Sequence, residues 1–234
     1  MAADSQSSGQ DTLSSFPFLT NDEFKSACRA FLNRVYAAGS LAAGWSSIRF
    51  QEHEPVLTIS QCFESDPCNP SPDDAYAQLS SAKDDHVSDL EACEEDPECF
   101  IRTFDKSGRL QVDYDIVFSP TYQVPVLYFV SQRMGKPLGI DEVYSHLVRD
   151  QYRKNIEGVG IMGGISFGYH PVSGTPAFFV HPCNTAEAMK DIASGDSVSL
   201  EAYLIVWLGL VGSCVRLQPP SELFATTGIP KLSG

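Results

Sequence analysis

Apolar residues near the start of the chain recur at the spacing of a helix. Between Phe24 and Val35 they return at intervals of three and four residues, which places them on one face. Thr20 stands three residues before Glu23, the offset of a capping box, and this pair marks where the helix begins. An amphipathic helix is therefore predicted from Asn21 to Ala38.

The next segments follow the period of two that is typical of strands. Trp45 to Phe50 and Pro55 to Phe63 form the first such pair. Leu110 to Phe118 alternates most regularly, so one of its faces should be buried and the other largely in contact with water. Val124 to Val130 is apolar on both faces and belongs in a covered central strand. Val159 to Phe167 is predicted to be a further strand, weakened by its glycines.

Helical patterns return in the second half of the chain. A short helix is predicted from Ile140 to Val148, and two more from about Thr185 to Ala193 and from about Ser199 to Cys214. The last of these is apolar almost all round and should therefore be covered. Consecutive strands joined by turns, with helices gathered at the ends, predict an α+β fold with an antiparallel sheet and flanking helices.

Residues 64–98 differ from the rest of the chain in charge. They hold twelve Asp or Glu residues and one Lys, so they carry most of the net charge of −14. Such a segment buries too little apolar surface to offset its ordering entropy and is predicted to be a flexible insertion, either a solvated loop or an acidic tether for a basic partner. The predicted organisation is a disordered tail at 1–19, one domain at 20–218 that contains the insertion, and a second tail at 219–234.

Composition narrows the classes of partner and compartment. With 16 Lys and Arg against 30 Asp and Glu, the chain is too acidic to favour a nucleic-acid or anionic membrane surface. The longest apolar run, Ala202 to Val211, is about half of what a membrane span requires, so no stable membrane insertion is expected. The chain opens without a signal peptide, which indicates a cytoplasmic protein.

The cysteines indicate reduced thiols more than a disulfide framework or a zinc site. Seven cysteines is an odd number, and their spacing is irregular. Cys62 with Cys68 and Cys93 with Cys99 each enclose five residues, which is longer than the spacing of common zinc knuckles. No phosphate loop or dinucleotide fingerprint is present, so neither a metal nor a cofactor is predicted.

Cys183 is the candidate nucleophile. Ala177 to Val180 is apolar enough to cross a sheet, and the proline that follows should end this strand because it donates no ladder bond. Asn184, or Thr185 after it, is predicted to cap the next helix, and Asn184 with Glu187 has the spacing of a capping box. A thiol beside a helix N-terminus is modestly favoured as a thiolate, which suits a group that accepts and then releases an acyl chain. The alternative is a small buried side chain without chemistry.

A cysteine hydrolase would also need a general base, for which the chain offers His53, His86, His146, His170 and His181. His86 lies in the acidic insertion, and His146 lies on the surface of a predicted helix. If the strand continues to the proline, the side chains of His181 and Cys183 share a side. His181 would then orient the thiol, stabilise an oxyanion or make a structural hydrogen bond. No histidine follows Cys183, which argues against a papain-type protease.

Two motifs carry a resemblance to a known family. They read His181-Pro182-Cys183-x-Thr185 with Met189 downstream, and Ser119-x-x-Tyr122-x-Val124-Pro125-Val126-Leu127-Tyr128-Phe129. Together they resemble the Atg-ten family, the autophagy conjugating enzymes that join the ubiquitin-like protein Atg-twelve to Atg-five. The related lipid-conjugating enzyme of autophagy shares the His-Pro-Cys triplet, but its long strand is less similar. The resemblance covers roughly residues 104–217.

The resemblance implies a ubiquitin-conjugating-enzyme-like fold and a transferase activity in autophagy and its protein transport. Cys183 would accept the C-terminal glycine of a ubiquitin-like protein from an activating enzyme as a thioester and pass it to a lysine of the target. His181 or Tyr122 would replace the asparagine that ordinary ubiquitin-conjugating enzymes use for the oxyanion. The target would bind directly to the sheet, for which strand addition at Trp45 to Phe63 offers a route.

Two other classes of function remain open from the sequence. One is a non-catalytic protein-binding module on the same scaffold, in which Cys183 is inert and the acidic insertion recruits partners. The other is a cysteine hydrolase.

Overall fold

The structure, a computed structural model, describes residues 13–39, 44–64, 109–148, 164–193 and 198–224. The predicted acidic insertion lies outside these ranges except for Glu64, at the end of the second range. His86 and the cysteines at 68, 93 and 99 lie outside them as well.

Within the described ranges, four α-helices and seven strands follow the predicted order. The helices are α1 (Asn21–Ala37), α2 (Ile140–Leu147), α3 (Thr185–Ile192) and α4 (Leu200–Val211). The strands are β1 (Trp45–Gln51), β2 (Val56–Phe63), β3 (Leu110–Ser119), β4 (Val124–Arg133), β5 (Lys136–Pro137), β6 (Ile165–Tyr169) and β7 (Pro176–Val180). Most bounds agree with the predicted ones to within three residues. The strand predicted at 159–167 begins at Ile165, and 159–163 lie outside the described residues.

All strand pairs of the described sheet are antiparallel. The strand order is β1-β2-β3-β4-β7-β6, and the short β5 pairs with the end of β4. Strands β1 to β4 form a meander in which each strand pairs with the next. Short turns join β1 to β2 and β3 to β4, as antiparallel pairing allows, whereas residues 64–109 separate β2 from β3. The predicted α+β class with an antiparallel sheet and flanking helices is confirmed.

The two faces of β3 show how the sequence sets up the sheet. Val112, Tyr114 and Ile116 are completely buried on the core face. The opposite face is less exposed to solvent than the alternating sequence of β3 predicts. On that face Asp113 is only 8% exposed and accepts a 2.7 Å hydrogen bond from the Ser60 hydroxyl. A carboxylate is tolerated there because it is hydrogen-bonded.

Helices α1 and α4 and one face of the sheet enclose a single core. Phe24 of α1 stacks on Phe118 of β3 with ring centroids 5.9 Å apart. Trp207 of α4 is completely buried, as the apolar pattern of that helix predicts. Buried tyrosines bring their hydroxyls to backbone acceptors, and Tyr114 donates a 2.7 Å hydrogen bond to the carbonyl of Val215.

The packed chain extends beyond both predicted domain boundaries. Leu19 is 2% exposed, and the Pro17 carbonyl accepts a 2.7 Å hydrogen bond from the Tyr203 hydroxyl. At the other end Leu223 is completely buried. Apolar side chains just outside the predicted boundaries at 20 and 218 therefore also pack into the core. In the part of the chain described here, no helix combines the length and apolar character needed to cross a bilayer.

Candidate active site

Cys183 lies in a turn between the end of β7 and the start of α3. Strand β7 ends at Val180, and a 3₁₀ turn over Pro182–Asn184 leads directly into the helix. Pro182 is buried and fixes the turn against the rest of the fold, while the Cys183 side chain is exposed. Exposure makes this thiol accessible to a large reaction partner.

His181 caps the turn that carries Cys183. Its Nδ1 accepts a hydrogen bond from the backbone N–H of Cys183 at 3.2 Å, and Pro182 occupies the first position of the turn. The predicted capping box of Asn184 and Glu187 is wrong, since the Asn184 side chain makes no capping hydrogen bond. Asn184 still occupies the N-cap position of α3, while the 3₁₀ turn that precedes this helix has a capping residue of its own, His181.

Tyr122 and His181 meet although they are far apart in sequence. Tyr122 lies in the turn between β3 and β4, and its backbone N–H donates to the Ser119 hydroxyl at 3.3 Å. Its ring meets the His181 ring edge to face, with centroids 5.7 Å apart and an interplanar angle of 80°. Phe179 approaches the same imidazole with centroids 6.3 Å apart. The three predicted site residues, Cys183, His181 and Tyr122, therefore form one cluster.

The cysteines in the described ranges are all free thiols, but they fall into two classes. Cys28 and Cys214 are buried, whereas Cys62 and Cys183 are exposed. Burial raises the pKa of Cys28 far above its usual range and that of Cys214 to about 12. Neither buried thiol is available as a thiolate, so Cys62 and Cys183 are the candidates for chemistry in this part of the chain.

The remaining described histidines lie away from Cys183. His53 is exposed in the turn between β1 and β2, and the backbone carbonyl of His146 in α2 accepts a hydrogen bond from Arg216. His170 lies at the opposite end of β7 from Cys183 and is 4% exposed. His181 is thus the histidine that the fold places beside the thiol.

A cluster with metal-binding geometry is not found in the ranges that the structure covers. Cys62 lies on the outer face of β2 and Cys183 at the end of β7, so the two exposed thiols belong to separate parts of the sheet. The arrangement around Cys183 offers a nucleophile, an imidazole and a phenol, which is a set suited to acyl transfer.

Known proteins match this chain over most of its length. The family model described as "Autophagocytosis associated protein, active-site domain" matches residues 23–222. The ubiquitin-like-conjugating enzyme ATG10 of Gibberella zeae is 33% identical over 236 residues, which cover 91% of this chain and 98% of that enzyme. The human ubiquitin-like-conjugating enzyme ATG10 is 32% identical over 123 residues, or 51% of this chain and 55% of the relative.

Among solved structures, the crystal structure of the autophagic E2 Atg10 is similar, with 12% identity and a TM-score of 0.48. The match covers 86% of this chain and 99% of that structure. The family model and the Gibberella relative carry the assignment. The chain therefore belongs to the ATG10 family of ubiquitin-like-conjugating enzymes of autophagy, which share this active-site domain.

Proposed function

We propose that this chain carries a ubiquitin-like protein as a thioester on Cys183 and transfers it to a lysine of a target protein. The observation that supports this best is the exposed Cys183 thiol in a turn held between β7 and α3. A carrier protein is far larger than a small substrate and needs a thiol that projects from the surface. Cys183 meets that requirement, and the two buried cysteines do not.

The reaction proceeds in two acyl transfers. In the first, the Cys183 thiolate attacks the thioester carbonyl that joins the C-terminal glycine of the ubiquitin-like protein to a cysteine of the activating enzyme. A new C–S bond forms, and the activating enzyme leaves as its thiolate. In the second, the amine of a target lysine attacks, Cys183 leaves as a thiolate, and the amine loses a proton to give the amide. Both steps depend on a positioned thiol and an oriented acceptor more than on a strong base.

His181 has two tasks in this scheme. Its Nδ1 accepts from the Cys183 N–H, so in the neutral ring the proton resides on Nε2. The bond to the backbone holds the turn, and the Nε2–H is a donor for the oxyanion that forms at the thioester carbon. Tyr122 packs against the ring edge to face and fixes its orientation.

The partners follow from the proposed reaction. They are an autophagy activating enzyme, a ubiquitin-like protein of the Atg-twelve type and a target of the Atg-five type. Strand β1 forms an edge of the described sheet, which leaves it available for strand addition by the target. The net charge of −14 favours partners with basic faces. Four free thiols in the described ranges support a reducing compartment, which we take to be the cytoplasm.

A loading assay tests the proposal. The full chain is incubated with the activating enzyme, ATP and the ubiquitin-like protein, and the products are separated on a non-reducing gel. We expect an adduct that thiols remove. Cys183→Ala should form none, whereas Cys62→Ala, which removes the other exposed thiol, should load as the wild type does.

Three outcomes would contradict the proposal. Loading that persists in Cys183→Ala would place the thioester on another residue. Absence of any adduct together with retained target binding would favour the non-catalytic binding module. Release of the glycine-terminal group without an acceptor lysine would favour the cysteine hydrolase.

A further inference from the structure

A second histidine-proline turn lies at the opposite end of β7. His170 follows β6 and precedes Pro171, and it is 4% exposed. Its Nδ1 accepts hydrogen bonds from the backbone N–H groups of Val172 at 3.3 Å and Ser173 at 3.1 Å. The imidazole thereby holds the loop that joins β6 to β7.

The other nitrogen of the His170 ring faces the central sheet. Because Nδ1 accepts, the neutral ring carries its proton on Nε2, which lies 3.6 Å from Oδ2 of Asp115 on β3. This distance is longer than a hydrogen bond, so the contact is the attraction between the carboxylate charge and the dipole of the imidazole N–H. The second oxygen of Asp115 accepts a 2.7 Å hydrogen bond from the Thr58 hydroxyl on β2. Thr58, Asp115 and His170, here named the clasp, thus connect two central strands to the β6–β7 loop.

The clasp matters because β7 is joined to the rest of the sheet by a short ladder. Only two residue pairs of β7 and β4 are in register within the described sheet, Tyr128 with Phe179 and Phe129 with Phe178. Tyr128 also contacts the His170 ring edge to face, with centroids 5.0 Å apart. The hairpin that leads to Cys183 is therefore held at one end by the clasp and along β7 by the ring contacts of Phe178 with Phe129 and of Phe179 with Tyr128.

We propose that the clasp positions the Cys183 turn for acyl transfer, with His170 as a positioning residue that never touches the reacting atoms. This inference rests on the proposed function. The clasp fixes the β6–β7 loop on the central strands, where the His170 N–H donates a hydrogen bond to the Thr175 carbonyl just before β7, and β7 in turn sets where its other end presents His181 and Cys183. Loosening the clasp lets the hairpin shift and moves the thiol out of line with the incoming carbonyl.

Two substitutions loosen the clasp in different ways. His170→Asn places an amide oxygen near the position of Nδ1, so it retains the turn with Val172 and Ser173 but no longer reaches Asp115. Asp115→Asn retains the shape of the carboxylate and removes its charge. Because each breaks the same link, the double variant should be no more impaired than either single one.

The chain supplies a matched control. Asp113 is two residues from Asp115 on the same face of β3 and accepts the corresponding 2.7 Å hydrogen bond from the Ser60 hydroxyl. Asp113→Asn therefore removes the same charge from the same strand and face.

Transfer is measured with the full chain at saturating ubiquitin-like protein and activating enzyme, and rates are normalised to the amount of Cys183 thioester that each variant forms. We expect His170→Asn and Asp115→Asn to lower kcat roughly ten- to a hundred-fold with little change in the KM for the target protein. These variants lose the positioning of the Cys183 thiol and keep the binding of the target. Asp113→Asn should retain the wild-type kcat. A variant that merely folds less well would form less thioester but would transfer at the wild-type rate per loaded enzyme.

Hydrogen exchange gives a readout that does not require activity. In both clasp variants the backbone amides of β7 and of Cys183 should exchange faster than in the wild type, while those of β3 keep their protection. The proposal is overturned if both clasp variants transfer at the wild-type rate, or if Asp113→Asn lowers kcat as much as Asp115→Asn does. It is also overturned if the fold-loss in kcat of the double variant equals the product of the two single losses. Failure of the wild type to form any thioester would contradict the proposed function, while the exchange measurement would still test the clasp.

Discussion

The two histidine-proline turns at the ends of β7 are built alike and placed differently. In each, the Nδ1 atom of a histidine accepts a hydrogen bond from the backbone two residues on, which is Val172 in one turn and Cys183 in the other. His170 is buried against Asp115, whereas His181 is half-buried beside Tyr122 and the Cys183 side chain is exposed.

The difference shows that the local motif makes the turn while its surroundings give the turn its role. A buried imidazole with a carboxylate partner holds strands together and has no access to a substrate. In the proposed reaction, an imidazole at the surface that packs on a tyrosine and accepts a hydrogen bond from the backbone of Cys183 lies where the thioester carbonyl would arrive. Under the two proposals, one turn anchors the hairpin and the other presents the nucleophile.

The largest expected effect comes from removing the imidazole that caps the nucleophile. His181→Ala should lower transfer roughly a hundred-fold or more, because it removes both the cap of the Cys183 turn and a donor to the oxyanion. His181→Asn retains an acceptor for the Cys183 N–H but lacks the Nε2–H, so its loss should be smaller. The transfer rates of both variants are measured as the single-turnover discharge of the Cys183 thioester to lysine. If His181→Ala discharged its thioester at the wild-type rate, the His181 turn would have no role in transfer that the His170 turn lacks.

An intermediate effect is expected at the tyrosine that packs on His181. Tyr122→Ala removes the edge-to-face contact, which is typically equivalent to roughly a two- to ten-fold change in rate. Tyr122→Phe retains the ring and should stay near the wild-type rate. The same discharge assay compares the transfer rates of the two variants. If Tyr122→Phe loses as much as Tyr122→Ala, the hydroxyl is a catalytic donor and the packing role is wrong.

The smallest effect is expected at a capping residue remote from the thiol. Burial alone raises the pKa of Glu23, but hydrogen bonds from Ser14 and Thr20 outweigh it and lower the pKa from 4.5 to about 2. The ionised carboxylate therefore stabilises the fold fully above about pH 4.5, and this stabilisation is lost as the pH falls toward 2. Glu23→Gln should cost about 1 kcal/mol of unfolding free energy at neutral pH and leave transfer unchanged.

Denaturant unfolding at several pH values checks this prediction. The stability difference between the wild type and Glu23→Gln should shrink as the solution is acidified through that interval. A difference that grows on acidification would contradict the cap, and a loss of transfer at neutral pH would show that this cap is not independent of the site.

Local patterns were enough to predict most of the fold. The capping box of Thr20 and Glu23 is confirmed, because both partners lie within one helical turn and need no other part of the chain. The strands β3 and β4 were also predicted, since the core face of β3 and the continuous apolar run of β4 are buried as their patterns indicate, although Asp113 on the outer face of β3 is buried as well. Motifs within the chain also predicted Tyr122, His181 and Cys183 as site residues; the fold brings the three together, and their roles stay a prediction.

Contacts across the sheet were not predictable in this way. The sequence shows that His170 and His181 each precede a proline, but it does not show which histidine meets Asp115 and which meets Tyr122. The cap of the Cys183 turn was not predicted for a local reason, because the sequence does not show that a 3₁₀ turn with its own capping residue, His181, precedes α3.

The most direct measurement identifies the residue that carries the ubiquitin-like protein. The loaded wild-type enzyme is digested at acidic pH without reductant, and the cross-linked peptide is sequenced by mass spectrometry. We predict that the C-terminal glycine of the ubiquitin-like protein is joined to the peptide that contains Cys183. A glycine joined to the peptide that contains Cys62, or to any other residue, would contradict the assignment of Cys183 as the nucleophile.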